Sequence, residues 1–210
     1  MSDQYDIAVI GGGSAGYATA IRAVELGLTA VVIEKDKLGG TCLHRGCVPT
    51  KILLHSAEVA DITRESAKFG ISSLLYGIDM EGVTKYRTDI VEKKYKGLQG
   101  LLKARKVDVV AGEGRLTSPT TVQVGDRTIT AKNVVLATGS YSKTLPGLEI
   151  GGRVITSEHA LELNYVPKKV AVLGGGVIGV EFASVWKSFG AEVVIIEGLP
   201  HLVPNEEEGV

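Results

Sequence analysis

The sequence predicts an α/β fold in which one strand–turn–helix–strand unit occurs twice. Three observations predict it. Two glycine-rich turns each follow a short apolar run, and the segments around them repeat in one constant register, Gly11 matching Gly174 and Glu34 matching Glu197. Glycine supplies 27 of 210 residues, well above a usual share of about 7%. The hydrophobic share of 44% and a net charge of −1, from 23 basic and 24 acidic residues, describe a globular chain with no general attraction for nucleic acid or acidic membranes. No apolar run approaches the roughly 18 residues that span a bilayer. The start, Met1 to Asp6, lacks the basic region and cleavage pattern of a signal peptide. Collagen-like, membrane-spanning and secreted disulfide-scaffold classes are excluded, and a cytoplasmic protein is expected.

The first unit opens with Ile7 to Ile10, too continuously apolar to alternate, as in a parallel strand buried on both faces. The turn is Gly11, Gly13 and Gly16 in the pattern G-x-G-x-x-G. A helix follows, with Ala20, Ala23 and Val24 at helical spacing, and Gly27 stops it. The next strand, Ala30 to Ile33, ends at Glu34. In such a unit the first glycine permits the tight turn and the second lets a pyrophosphate approach the backbone. The third lets helix and strand pack closely, so the helix N-terminus faces the phosphates. The acidic residue accepts hydrogen bonds from a ribose diol. Glu34 follows Gly16 at close to the separation of about 20 residues usual for such units. The second copy reproduces that spacing with Gly174, Gly176, Gly179 and Glu197. Two Rossmann-like dinucleotide turns are expected. A carboxylate suits the free 2′-hydroxyl of NAD and repels the 2′-phosphate of NADP. Glu197 is followed by Gly198, Leu199 and Pro200, with no arginine nearby, so the second turn favours NAD.

Cys42 and Cys47 are the only cysteines, in the run GGTCLHRGCVPTK at 39–51. Tetrahedral structural zinc wants four ligands, and no second closely spaced ligand pair joins His44 or His55, so no metal is assigned. A structural disulfide is unusual in the cytosol, which leaves a redox-active pair. Pro49 suits the first turn of a helix running on through Lys51 to Leu54. A thiol at that helix N-terminus, with Lys51 nearby, is expected to be reactive. A carrier between a nicotinamide and a disulfide must exchange two electrons with either, as a flavin does.

These motifs resemble the pyridine nucleotide–disulfide oxidoreductase family. The resemblance runs through the fingerprint, the cysteine run, VVLATGS at 134–140 and GGGVIGVE at 174–181. It implies FAD at the first turn and NAD at the second. By resemblance Cys42 is the interchange thiol that attacks the substrate disulfide, and Cys47 the thiol nearest the flavin. Lys51 resembles the lysine beside the flavin ring, and Glu181 the glutamate paired with it near the nicotinamide. Glu34, Lys35, Thr41, Gly114, Ala137, Thr138, Gly139 and Ser140 match positions near FAD. Within the family the chain is similar to the branch that oxidises dihydrolipoamide on a lipoyl-carrying protein of a 2-oxoacid dehydrogenase or related complex, and that works as a homodimer. Many members carry Asn-Val where this chain has His44-Arg45, which leaves the fine substrate open. A disulfide- or mercury-reducing relative using NADPH is the other enzymatic reading, and Glu197 argues against it.

Residues 52–106 read mostly as helix. The stretch 85–106 holds eight basic and two acidic residues. Val91, Tyr95, Leu98 and Leu102 nevertheless fall on one face, so a solvated helix against a core is expected. Residues 107–111, 120–124 and 127–131 read as strands, the last two meeting in a hairpin at Gly125-Asp126. Asn133 to Ala137 reads as a further buried strand. Residues 141–169 form a connection with a short helix capped by Thr156 or Ser157, and His159 has a surface or packing role there. The second unit runs from Val170 to Val210 and ends in an acidic tail, Glu206 to Glu208. That stretch holds one strand, one helix and one further strand. Two parallel strands cannot cover their own apolar faces. The expected organisation is therefore a Rossmann-like FAD-binding domain with a small antiparallel element at 1–150, then the start of a Rossmann-like NAD-binding domain at 151–210. A flavin-binding fragment without turnover is the reading from outside the enzyme class.

Overall fold

The computed structural model describes residues 3–207. Met1, Ser2 and the end of the acidic tail from Glu208 lie outside them. Packing divides the chain into two compact units, Met1–Cys47 with Ile90–Leu145, and Val48–Asp89 with Pro146–Val210.

The first unit is built on a six-stranded sheet of order β3-β2-β1-β6-β5-β4. Strands β1 (Asp3–Ile10), β2 (Ala30–Glu34), β3 (Asp108–Ala111) and β6 (Arg127–Leu136) run parallel. Strands β4 (Gly114–Ser118) and β5 (Thr121–Val124) join β6 antiparallel. Alternate side chains of β1 and β2 serve two cores. Val9 and Val32 pack with Ala20 and Ala23 of helix α1 (Ser14–Glu25) and with Leu102. Ala8, Ile10, Val31 and Ile33 pack beneath Val122, Ile129 and Ala131. These strands are therefore apolar on both sides, as their uninterrupted sequence demands. The expected helical face of 85–106 is present: Leu102 is buried, and Tyr95 and Leu98 pack against the same core.

Strand boundaries differ from the sequence reading in three places. The runs 127–131 and 133–137 are one strand, β6, unbroken at Lys132-Asn133. Lys132 points outward and its Nζ lies 2.7 Å from Asp6 Oδ1. A polar pair in mid-strand is thus an outer-face contact and not a break. Strand β1 likewise begins at Asp3, and Arg127 Nε donates to Asp3 Oδ2 at 2.7 Å. Strand β4 has no counterpart in the sequence reading; it contains Gly114, where a Cβ would press on Ile33, Ile10 and Val122 at 3.0–3.3 Å.

Asp6 ties β1 to β6 and to Thr29, the residue that leads into β2. Its carboxylate accepts from Thr29 N–H and Thr29 Oγ1, both at 2.8 Å, beside Lys132. The Lys132 ammonium first, then the Thr29 donors, hold the Asp6 carboxyl well below the usual carboxylate range. A folded-state value depressed in this way stabilises the fold above the ordinary carboxylate value and is lost as pH falls through it. Asp6→Asn is expected to lower the urea midpoint at pH 7, with the gap to wild type closing below about pH 4. An equal gap at pH 3 and pH 7 would contradict this role.

The second unit centres on Trp186. Helix α6 (Val177–Phe189) contributes Phe182, Val185, Trp186 and Phe189 to one core with Leu53 and Ala57, Met80, and Ala160 and Leu161 of α5 (Ser157–Leu161). Leu53 and Ala57 lie on α3 (Cys47–Glu65). This shared core is why residues 48–89 cluster with the second unit. Ser188 Oγ donates to Asp61 Oδ2 at 2.5 Å, a further α3–α6 link. After a short 3-10 turn at 66–69 the chain takes no regular form over 70–79 and then enters helix α4 (Met80–Ala104). Asp79 caps α4 by accepting from Glu81 and Gly82 N–H at 3.1 Å. Strands β7 (Lys169–Leu173) and β8 (Glu192–Ile196) pair in parallel. They alternate exposed and half-buried residues, and Leu173, Val194 and Ile196 are each more than half exposed. His159 takes a structural role, accepting at Nδ1 from Thr156 N–H at 3.3 Å where Thr156 caps α5. Among the described residues no helix is long and apolar enough to cross a membrane.

Candidate functional site

The two glycine-rich turns share the bond that closes them and the conformation of their first glycine. Gly11 N–H donates to Ile33 C=O at 2.8 Å, and Gly174 N–H to Ile196 C=O at 2.9 Å. Both glycines are left-handed, φ 107° and 99°, a conformation that side chains resist. A Cβ on Gly16 or Gly179 would overlap the carbonyl oxygen of Gly11 or Gly174, so each helix sits hard against its turn. Gly13 and Gly176 are the N-caps of α1 and α6 with extended backbones. Beside them there is room: a Cβ on Gly13 would meet only Gly40 Cα, at 3.8 Å, and one on Gly176 nothing within 4 Å. Open backbone at a helix N-terminus is what a pyrophosphate requires. The residues present fit a dinucleotide at both turns.

The acidic residues are pinned alike. Glu34 Oε2 accepts from Gly12 N–H at 2.6 Å and Oε1 from Asp36 N–H at 2.8 Å. Glu197 Oε2 accepts from Gly175 N–H at 2.6 Å and Oε1 from Leu199 N–H at 2.9 Å. The Gly175 amide first, then that of Leu199, holds the Glu197 carboxyl below the usual range. It is therefore an anion whose remaining lone pairs are open to ribose hydroxyls.

Helix α2 (Gly40–His44) carries Cys42, which is half-buried, and α3 begins at Cys47, which is exposed. Lys51 lies one helical turn further along α3, where its ammonium pairs with the Glu181 carboxylate of α6. These two residues are far apart in the chain, and the packing of α3 on α6 brings them together. Ala137 closes the first turn: its N–H donates to Ile10 C=O at 2.8 Å and its carbonyl oxygen stands over Gly11. Thr138, Gly139, Ser140, Thr41 and Lys35 are exposed. Gly114 sits further back, against the core beneath β1 and β2.

The sequence profile of the pyridine nucleotide-disulphide oxidoreductase family matches residues 5–210. The chain belongs to that family. As a family member it is similar to the dihydrolipoyl dehydrogenase of Bacillus subtilis, at 41% identity over 99% of this chain and 47% of the relative. It is similar also to the leghemoglobin reductase of Vigna unguiculata, at 41% identity over 100% of this chain and 42% of the relative. Among solved structures it resembles the HOCl-induced flavoprotein disulfide reductase RclA of Escherichia coli, with a TM-score of 0.78 and 27% identity. That likeness covers 97% of this chain and 44% of the RclA chain. The chain thus spans about half the length of these relatives.

The family member has two tethers that motif reading left unassigned. His44 Nε2 lies 2.8 Å from the Leu38 carbonyl oxygen, and its ring meets Tyr95 edge-on at 5.1 Å. Arg45 donates to Asp36 Oδ2 at 2.6 Å. The His44-Arg45 pair, where many family members carry Asn-Val, fastens the cysteine loop to the segment after Glu34. The signal was a charged residue at 36 facing one at 45, a pairing visible only once the loop is folded.

Proposed function

We propose that this chain is the FAD- and NAD-binding front part of a dihydrolipoyl dehydrogenase, passing electrons from a dihydrolipoyl dithiol through Cys42–Cys47 and a flavin to NAD. The observation that carries it is the doubled turn, each copy presenting open backbone at a helix N-terminus beside a pinned carboxylate. The cysteine pair follows the first copy directly. FAD would lie on Gly11, Gly13 and Gly16, with Glu34 on its ribose and Thr41, Gly114 and the 137–140 exit around it. NAD would lie on Gly174, Gly176 and Gly179, with Glu197 on its ribose. On this reading 1–150 forms the FAD domain and 151–210 begins the NAD domain. The partners are lipoyl groups on a carrier protein and a second copy of the complete chain. Bound flavin would supply a two-electron carrier that exchanges with both the thiol pair and a nicotinamide.

The protein's own groups bind, orient and hold charge. One sulfur of the dithiol attacks Cys42 Sγ in the Cys42–Cys47 disulfide and releases the Cys47 thiolate. The second sulfur then attacks the first in that mixed disulfide, closing the lipoyl disulfide and releasing Cys42, so the two cysteines hold the two electrons. The Glu181 carboxylate fixes the Lys51 ammonium in one place, so a positive charge stays available without a mobile side chain. Glu197 repels a 2′-phosphate and accepts from a 2′-hydroxyl.

Glu197→Arg tests the nucleotide reading. The replacement removes the acceptor and adds a phosphate partner, so titration calorimetry is expected to show NAD binding weakened about tenfold or more and NADP strengthened. An unchanged preference would remove the NAD assignment. Flavin content is expected to stay at the wild-type level, since Glu197 belongs to the second turn.

A further inference from the structure

The internal repeat continues past its carboxylates, into segments that motif alignment does not register. After Glu34 the chain doubles back on its turn: Gly39 N–H donates to Gly12 C=O at 2.8 Å. Leu38 Cδ2 lies 2.7 Å from the place a Cβ on Gly12 would take. After Glu197 the same return occurs. Val203 N–H donates to Gly175 C=O at 2.8 Å, and the Leu202 side chain fills the place of a Gly175 Cβ. In each copy the middle glycine of the run, Gly12 or Gly175, is buried, held by a carboxylate on its N–H and by a returning amide on its C=O. The return is one residue longer in the second copy, which puts Val203 where the first has Gly39.

That substitution carries information. Gly39 is left-handed at φ 101°, and Val203 is also left-handed, at φ 44°. A β-branched residue avoids that region, and it persists there only where surrounding contacts impose it. The closing bond to Gly175 and the seat of Leu202 are those contacts. Resting on the reading of the second turn as an NAD site, we propose that Leu202 and Val203 are positioning residues for that turn. They close it over Gly175, keep the Glu197 carboxylate on the Gly175 N–H, and so make the turn select a ribose 2′-hydroxyl over a 2′-phosphate. A carboxylate free to swing aside makes room for a phosphate, whereas one clamped against buried backbone keeps its charge at the place the phosphate would need.

The test is Leu202→Ala, with Leu202→Met as the conservative variant and Leu38→Ala as the control in the other turn. By calorimetry Leu202→Ala is expected to weaken NAD about tenfold while NADP changes less than about twofold. Leu202→Met restores the preference to within about twofold, and Leu38→Ala leaves it unchanged. Equal weakening of both nucleotides, or a preference kept in Leu202→Ala, overturns the proposal, because a merely structural side chain gives one or the other. Amide exchange in the nucleotide-free chain reads the closure by itself. Leu202→Ala is expected to speed exchange at the Gly175 and Val203 amides, and unchanged exchange overturns the closure. Faster exchange in the variant, combined with a wild-type chain that does not prefer NAD, upholds the closure and overturns the selection together with the NAD reading.

Discussion

Gly16→Ala is expected to unfold the first nucleotide turn, whereas Gly13→Ala leaves the fold standing and removes its ligand. A Cβ at Gly16 runs into the Gly11 carbonyl oxygen, which is backbone and itself fixed by the Gly11–Ile33 bond. Relief requires helix α1 to withdraw from β1, which opens the core around Val9 and Ala20. Overpacking against main chain of this kind costs about 3 kcal/mol or more. At Gly13 the neighbouring atom is Gly40 Cα at 3.8 Å, an ordinary contact. The extended N-cap conformation also suits alanine, so the stability cost is under about 1 kcal/mol. The new methyl nevertheless occupies the space through which a pyrophosphate reaches the backbone amides, and FAD affinity is expected to fall about 100-fold. Urea denaturation followed by circular dichroism, with flavin titration by fluorescence quenching, separates the two variants. Equal stability losses would show that the turn is not packed as described.

Flavin binding is expected to invert the relative reactivity of the two thiols. In the ligand-free chain Cys47 is exposed at the start of α3 while Cys42 is half-buried on α2, so iodoacetamide reaches Cys47 more readily. If Cys47 is the flavin-side thiol, FAD covers it and slows its alkylation about tenfold or more, leaving Cys42 the faster site. Peptide mapping after a short pulse, with and without FAD, gives both rates in one experiment. Protection of Cys42 instead would exchange the roles of the two cysteines. Protection of neither would place FAD away from the pair.

Much of this arrangement is legible in the sequence because it depends on local spacing. The glycines, the carboxylate that closes each unit and the Gly125-Asp126 hairpin all use contacts or backbone angles set within a short stretch of chain. Features that depend on distant partners were hidden. Lys132 interrupts an apolar run and looks like a strand end until Asp6 is found beside it. Residues 70–79 include Ile71, Leu74 and Leu75 and read as helix, yet Ile71 and Leu74 lie exposed in an irregular connection. The extra residue before Val203 breaks the constant register, so the second closing segment is invisible to an ungapped comparison. Lys51 and Glu181 are 130 residues apart, and only a family resemblance paired them beforehand.

The long strand β6 has a consequence for the order in which the protein assembles itself. Strand β1 pairs with β6 across most of the first unit's length of chain, Asp3 with Ile129 and Ile10 with Leu136. The Ala137 carbonyl that roofs Gly11 arrives later still. The second turn needs β7, α6, β8 and the return as far as Val203, all within Lys169–Val203. A ribosome therefore releases the two turns on different clocks. The first is spelled out earliest but waits, with its apolar strands β1 and β2 uncovered, until β6 has emerged. The second closes almost as soon as it is made, because short-range pairing is fast and long-range parallel pairing is slow.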